Sequence, residues 1–429
     1  MKISIKREHD PYIKQDNNII FGMCVLMFVP AINNFLNTIL QKYLVINIVV
    51  LTPISYIFMA FCGVFFLYRY AFKIRNFLVV FIFFVLGVVI SYILYPEIRT
   101  VIYASPIDLV YSPVNKLIFF CLPAMGGMTV LTNYHNLFEK MQRWGEITLI
   151  IGVCSYLLVF FVAGQSLQYM VFSYFMLLPI CVCFEHANIK KSKMDFALAI
   201  IGSVCILMCG ARGACVSLVL YFIARGISNF SRMVTLRSFT KFVFLIILGI
   251  MLALFHTELL KLVSDLFDEL GVNSRVIQKL ISEEIFDDNS RNVISESIWQ
   301  GLRDNPLGYG VFGDRYVIGI SGYGSYTYAH NIVTELLCSF GYFGGGIALV
   351  VLFAIVGRKA FLSKDANAKY LIITLLPYGL FQLFFSSSYL ENLVFWAILG
   401  LCLNVSNGHN HKNTDISMHE IIDRLDSRK

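Results

Sequence analysis

The sequence predicts an all-α integral membrane protein of about twelve transmembrane helices, with both ends in the cytoplasm and one long outer loop, bearing amphipathic helices, between spans nine and ten. Three observations lead there. Hydrophobic residues make up 58% of the 429-residue chain and charged residues only 14%, with a mean hydropathy of +0.71; soluble domains carry roughly 25% charge. Apolar runs recur along almost the whole chain. The basic residues between those runs alternate from one connection to the next.

In chain order, residues 1–18 form a polar tail of mixed charge. The apolar run behind it is too long for a leader and lacks a small-residue cleavage site, so it reads as an uncleaved first span. Runs at 19–40, 43–67, 77–95, 117–131, 147–163, 167–184, 196–210, 213–224 and 242–260 supply spans one to nine, over 19–260. An outer loop follows at 261–330. Runs at 332–356, 370–385 and 393–405 supply spans ten to twelve, over 331–405, and residues 406–429 form a polar cytoplasmic tail. Each span takes about 20 apolar residues to cross the hydrocarbon core.

Orientation follows from charge. The even-numbered connections hold Arg69, Lys73 and Arg75, then Lys140 and Arg143, then Lys190, Lys191 and Lys193, then Arg225, Arg232, Arg237 and Lys241, then Arg358, Lys359, Lys364 and Lys369. The short connections between them hold only Lys42, Arg99, Lys116 and Arg212. Cytoplasmic loops collect Lys and Arg, so the even connections are cytoplasmic and the long loop faces outward. The runs 196–210 and 213–224 can also be read as one long helix with Arg212 inside, but that reading breaks the alternation. A break at Ala211-Arg212-Gly213 preserves it, and the flanking Gly210 and Gly213 permit a tight turn.

Within the outer loop, Leu259, Leu262, Val263, Leu266 and Leu270 repeat at helical spacing, as do Val276, Ile277, Leu280 and Ile281, which predicts two amphipathic pieces along the membrane surface. A third helix carries Ile294, Ile298, Trp299 and Leu302 on one face, capped by Ser290 or Asn289. It stops at Asn305-Pro306-Leu307-Gly308-Tyr309-Gly310. Gly308 and Gly310, like Gly341 and residues 344–346, read as turn and close-packing positions.

The net charge of +7 is spread over short loops and builds no continuous basic face, which argues against nucleic acid. The eleven cysteines fall in or beside apolar runs without ligand spacing and read as small core residues. The chain has no phosphate-binding glycine-lysine loop, no zinc helix motif and no Asp-X-Asp pair, so neither a metal nor a cofactor is expected.

Three polar residues stand out. Arg291 lies in the first turn of the third loop helix, where unpaired amides and the helix dipole favour an anion and a guanidinium fits pyrophosphate oxygens; the alternative is an ion pair with Asp287 or Asp288. Arg212 sits between apolar runs, where a deep arginine is paired or functional and a shallow one snorkels. His330 lies at the outer membrane boundary, where imidazole can take a proton from a hydroxyl or serve as a structural group. Asn331 either orients it or caps the next helix. Tyr323, Tyr326 and Tyr328 are either a sugar platform or an interfacial belt, and Arg315 is a further, weaker candidate for glycan or headgroup contact. Glu283, Glu284 and Glu391 are alternative bases.

Taken in order, Cys209-Gly210-Ala211-Arg212-Gly213, Arg291 with Trp299, Asn305-Pro306-Leu307-Gly308-Tyr309-Gly310, and Ala329-His330-Asn331 followed by Glu335 and Gly341 resemble the O-antigen ligase and polymerase family, over roughly 196–356. The turn reads Ala-Arg-Gly where the family pattern has Ser-Arg-Gly, so a hydroxyl before the arginine has no counterpart here. The resemblance implies transfer of a glycan from an undecaprenyl pyrophosphate carrier to a sugar hydroxyl at the outer leaflet of the bacterial cytoplasmic membrane, without metal and with inversion. Arg212 and Arg291 would meet the pyrophosphate charge, His330 would act as general base, and Tyr326, Tyr328, Asn331 and Arg315 would contact glycan or headgroup. The ending Ser386-Ser387-Ser388-Tyr389-Leu390 with Phe395-Trp396 looks like capsule and exopolysaccharide polymerases, which join one lipid-linked repeat unit to another. A ligase delivering finished glycan to lipid A core or protein is the alternative within the family. A flippase or exporter of lipid-linked oligosaccharide is the alternative outside it, although neither related halves nor mid-membrane ionisable groups are evident. A chain-length regulator and a flippase are candidate partners.

Overall fold

The computed structural model describes residues 11–43, 51–96, 98, 112–159, 169–209, 211–230, 265, 289–321, 328–363 and 365–404. Every element among them is helical: α1 (Pro11–Tyr43), α2 (Leu51–Cys62, carried by a π turn, Gly63–Tyr68, on to Ala71), α3 (Arg75–Leu94), α4 (Pro113–Val130), α5 (Tyr134–Leu157), α6 (Tyr169–Lys190), α7 (Lys193–Cys209), α8 (Arg212–Phe230), α9 (Asn289–Asp304), α10 (Gly313–Ile320), α11 (Ile332–Leu362), α12 (Ala366–Gly379) and α13 (Leu393–Leu403). Six stretches, in α1 to α4, α6 and α11, are long and apolar enough to cross a membrane. The chain is a multi-pass membrane protein.

The expected twelve spans map onto this set unevenly. Runs at 196–210 and 213–224 fall on α7 and α8, separate helices as the glycine-flanked break requires. The run 370–385 does not stay helical to its end. Pro377 lies in the last turn of α12, the helix stops at Gly379, and a 3-10 turn, Phe381–Phe384, leads into an irregular segment before Asn392 caps α13 through Val394 N and Phe395 N. The N-terminal tail expected over 1–18 is shorter, since α1 already starts at Pro11; the run 242–260, the amphipathic pieces over 259–281 except Asp265, Tyr323, Tyr326, residues 1–10 and the tail 406–429 lie outside the described residues.

Side-chain exposure separates lipid-facing from packed helices. α3 is apolar all round, yet Ile82, Phe83, Leu86, Ile90 and Ile93 are exposed, which in a membrane helix marks contact with lipid tails. α1, α4 and α6 are mostly buried and form the packed centre. Close backbone approach holds α4 to α13: a Cβ on Gly400 would stand 2.1 Å from the Met125 carbonyl oxygen, and Asn404 Nδ2 donates to the carbonyls of Met128 and Leu131.

The third loop helix is present as α9. Ile294, Ile298 and Leu302 are buried and pack with Val317, Ile318 and Cys338. Trp299, expected on that face, is not on it: one residue beyond Ile298 is rotated by about 100°, and its ring instead stacks on Tyr342, with centroids 6.4 Å apart.

The turn after α9 repairs a break in α11. Gly341 has φ 73° and ψ 176°, so the helix kinks there and the carbonyls of Cys338 and Ser339 lose their helical partners. Tyr309 N donates to Cys338 O at 2.8 Å, Gly310 N to Ser339 O at 2.9 Å, and Tyr342 N to Pro306 O at 3.0 Å. Asn305 Nδ2 clamps the turn by donating to Gly308 O at 2.8 Å and to Tyr95 Oη at 3.0 Å. In a membrane protein these internal partners replace water that hydrocarbon cannot offer.

Candidate functional site

Arg212 is the first residue of α8. The Ala211 carbonyl accepts from Ala214 N at 3.0 Å and Cys215 N at 3.1 Å, which sets the helix start at the arginine. Gly213 is needed for close approach, because a Cβ there would lie 2.0 Å from Tyr174 Oη and 2.7 Å from Phe385 Cβ. The start of α8 is therefore pressed against α6 and the irregular segment after α12.

Arg291 reaches the same segment. It stands in the first turn of α9 and its Nη1 donates to Phe385 O at 2.7 Å. The alternative partners Asp287 and Asp288 lie outside the described residues.

His330 has φ 55°, a conformation rare for a residue with a Cβ and one that persists only where the surroundings enforce it. Its ring stands 4.1 Å from that of Tyr328. Tyr328 Oη accepts from Ser387 N at 3.1 Å, and Ser387 itself has φ 83°. Burial pushes the Tyr328 phenol up, so it stays protonated at neutral pH. Ser386 stands beside the hydroxyls of both Tyr174 and Tyr328. Asn331 caps α11, accepting from Val333 N at 2.8 Å, while its Nδ2 donates to Phe384 O at 3.4 Å.

Residues 384–387 are thus the hub on which Gly213 beside Arg212, Arg291, Tyr328 with His330, and Asn331 all converge. As sequence, this hub reads as the end of an apolar run; the serine triplet after Phe384-Phe385 is the one signal of an interruption. Tyr326 lies outside the described residues.

Arg315 is placed differently from a headgroup ligand. It is 2% exposed and held on several sides: Nη1 donates to Asp314 Oδ1 at 3.2 Å and stands 3.8 Å from Glu335 Oε1, and Nη2 donates to Glu391 Oε1 at 2.5 Å. Its guanidinium carbon lies 5.3 Å from the centre of the Phe312 ring and 5.9 Å from that of Tyr328. Burial alone would lower its pKa; Asp314, Glu391 and Glu335 outweigh that and raise it. Lys116, Asp314 and Glu335 were given no role by the sequence, and Glu391 was only an alternative base. Glu335 accepts from Ser388 Oγ and Tyr389 N, and Glu391 Oε2 accepts from Lys116 Nζ at 2.7 Å.

Glu391 gives a pH prediction. Burial raises its pKa, but Lys116 and Arg315 together hold it at about 2, below its usual 4.5. A depressed carboxylate stabilises the fold above the unfolded value and loses that contribution as pH falls through the folded one. The thermal midpoint of the detergent-solubilised protein is expected to fall more steeply between pH 4.5 and about 2 in the native chain than in Glu391→Gln; parallel curves would remove this role.

Among the described residues, no cluster of three or more His, Cys, Asp or Glu stands close enough to hold a metal ion. Residues 197–350 match the family model described as O-antigen ligase. No curated protein and no solved structure matches the chain. The matched stretch takes in Arg212, Arg291, Arg315, Tyr328, His330 and Asn331; Lys116 and the hub at 384–387 stand outside it. Over that stretch, a little over a third of the chain, the sequence is similar to the O-antigen ligase family.

Proposed function

We propose that the protein is a polysaccharide polymerase that joins undecaprenyl-pyrophosphate-linked repeat units on the outer leaflet of the bacterial cytoplasmic membrane. The observation that carries this reading is the meeting of Arg291, the helix start at Arg212 and the Tyr328–His330 pair on residues 384–387. Two guanidinium groups, each at the start of a helix, suit a diphosphate, and the imidazole that meets the same segment suits the acceptor hydroxyl. In the reaction, an acceptor sugar oxygen attacks the anomeric carbon of the donor from the face opposite the carrier. The bond from that carbon to the pyrophosphate oxygen breaks, the carrier leaves as undecaprenyl pyrophosphate, and His330 takes the acceptor's proton. Arg212 and Arg291 meet the charge that grows on the leaving oxygen. Tyr328 and Asn331 border the sugar, and Arg315 acts from behind them. A chain-length regulator and a flippase that supplies donor are the expected partners.

Ligase activity is the second reading, favoured by the description of the matching family. Deleting the gene and analysing the lipid-linked pool separates the two. Single repeat units on the carrier are expected for a polymerase, whereas long carrier-bound chains would make the protein a ligase. Repeats trapped on the inner leaflet would make it a transporter and sink the transfer reading.

A further inference from the structure

We infer that Lys116, at the outer end of α4, is a positioning residue for the site, acting through Glu391 and Arg315 on the strap that carries Tyr328 and His330. This rests on the transfer reading given above.

The connection is continuous. Lys116 Nζ donates to one oxygen of Glu391 at 2.7 Å, and the other oxygen of that carboxylate accepts from Arg315 Nη2 at 2.5 Å. Arg315 then bonds to Asp314, whose second oxygen, Oδ2, accepts from Ala329 N at 3.1 Å, the amide immediately before His330. Arg315 also lies against the Tyr328 ring, which in turn contacts the His330 ring. From the other end, Glu391 belongs to the segment whose Ser387 N holds the Tyr328 hydroxyl. The strap is therefore gripped from two sides by groups that share one carboxylate.

An ion cluster that served folding alone would not need to border strained backbone. Among the described residues, four without glycine have positive φ, and three of them lie along this path: Phe312 under Arg315, His330 on the strap and Ser387 above Tyr328. Such conformations persist where several contacts over-determine them, and they gather where geometry is part of the chemistry. Lys116 comes from the first 196 residues, which the family match does not reach, so α4, like α6, joins the later elements at the site. By the charge rule it is one of the few basic residues of the short outer connections, the side on which Arg212 stands.

The test compares Lys116→Met, Lys116→Arg and the double variant Lys116→Met/Glu391→Gln, which removes one charge of each sign. The purified proteins are supplied with lipid-linked oligosaccharide extracted from a strain deleted for this gene, with Arg291→Ala and His330→Ala run alongside. A small misplacement of reacting groups costs about 100-fold in rate, so the double variant is expected to keep the native KM while kcat falls by about that factor, and Lys116→Arg to recover most of kcat. Native kcat in the double variant would overturn the inference, as would a rise in KM with kcat intact. Should Lys116→Met fail to fold, the double variant and Lys116→Arg still decide. Native rates in Arg291→Ala and His330→Ala would instead sink the transfer reading, whatever Lys116 does.

Discussion

Arg291→Ala and His330→Ala are each expected to abolish long glycan while the protein inserts and accumulates normally. The arginine serves two ends in the proposed reaction. Its Nη1 holds the Phe385 carbonyl at 2.7 Å, which fixes the start of α9 on the hub, and in the proposed reaction its positive charge meets the charge that grows on the leaving group as the bond breaks. Removing one preorganised donor of this kind costs about 100- to 1000-fold in kcat. Arg291→Lys should fall between, because an ammonium keeps the charge but lacks the planar fork that binds Phe385 O and an anion together. Loss of the imidazole costs about 100- to 10,000-fold through the missing proton acceptor. Gel analysis of polymer in a deletion strain complemented by each variant reads both outcomes, with immunoblotting of membranes as the control for insertion. Native polymer length and amount in both variants would leave neither residue with a role.

Gly341→Ala is expected to lower stability by roughly 2 to 5 kcal/mol, combining the cost of a backbone conformation reserved for glycine with a steric one. At φ 73° and ψ 176° an L side chain is strained in any surroundings. Here the new Cβ would also stand 2.4 Å from Pro306 O and 2.6 Å from Leu307 C. The turn at 305–310 would be pushed off the kink, and the Cys338 and Ser339 carbonyls would lose Tyr309 N and Gly310 N inside a membrane helix. Because α9 is tied to α11 through this turn, the displacement reaches Arg291. Thermal midpoints of the solubilised variant, read by size-exclusion of the heated protein, should drop by several degrees, and an unchanged midpoint would show that the kink is not a point of fixed contact.

Several elements were legible in the chain alone because their cause is local. Ile294, Ile298 and Leu302 follow the 3.6-residue period, and α9 buries them. Gly210 and Gly213 flank Arg212, and the helix breaks there. Asn305, Pro306 and Gly308 are turn formers in sequence, and they make the turn. Even Trp299 fails for a local reason, one residue of helical rotation. The hub at 384–387 was not legible, since its value lies in a carbonyl and an amide that every residue possesses. Nor was the role of Lys116, whose partner Glu391 is 275 residues away.

The sequence by itself determined a membrane protein, many of its helical segments, the break that starts a helix at Arg212 and the residues with chemistry to offer, because hydropathy, helical period and glycine freedom act within a few residues. Only the tertiary structure decided that Arg291 and the start of α8 meet at Phe385, that Asn331 caps while His330 is held in a strained backbone, and that Arg315 is bound by carboxylates instead of standing open. These outcomes come from packing of distant helices, and in a medium without water each buried charge and amide takes the partner that packing brings within reach.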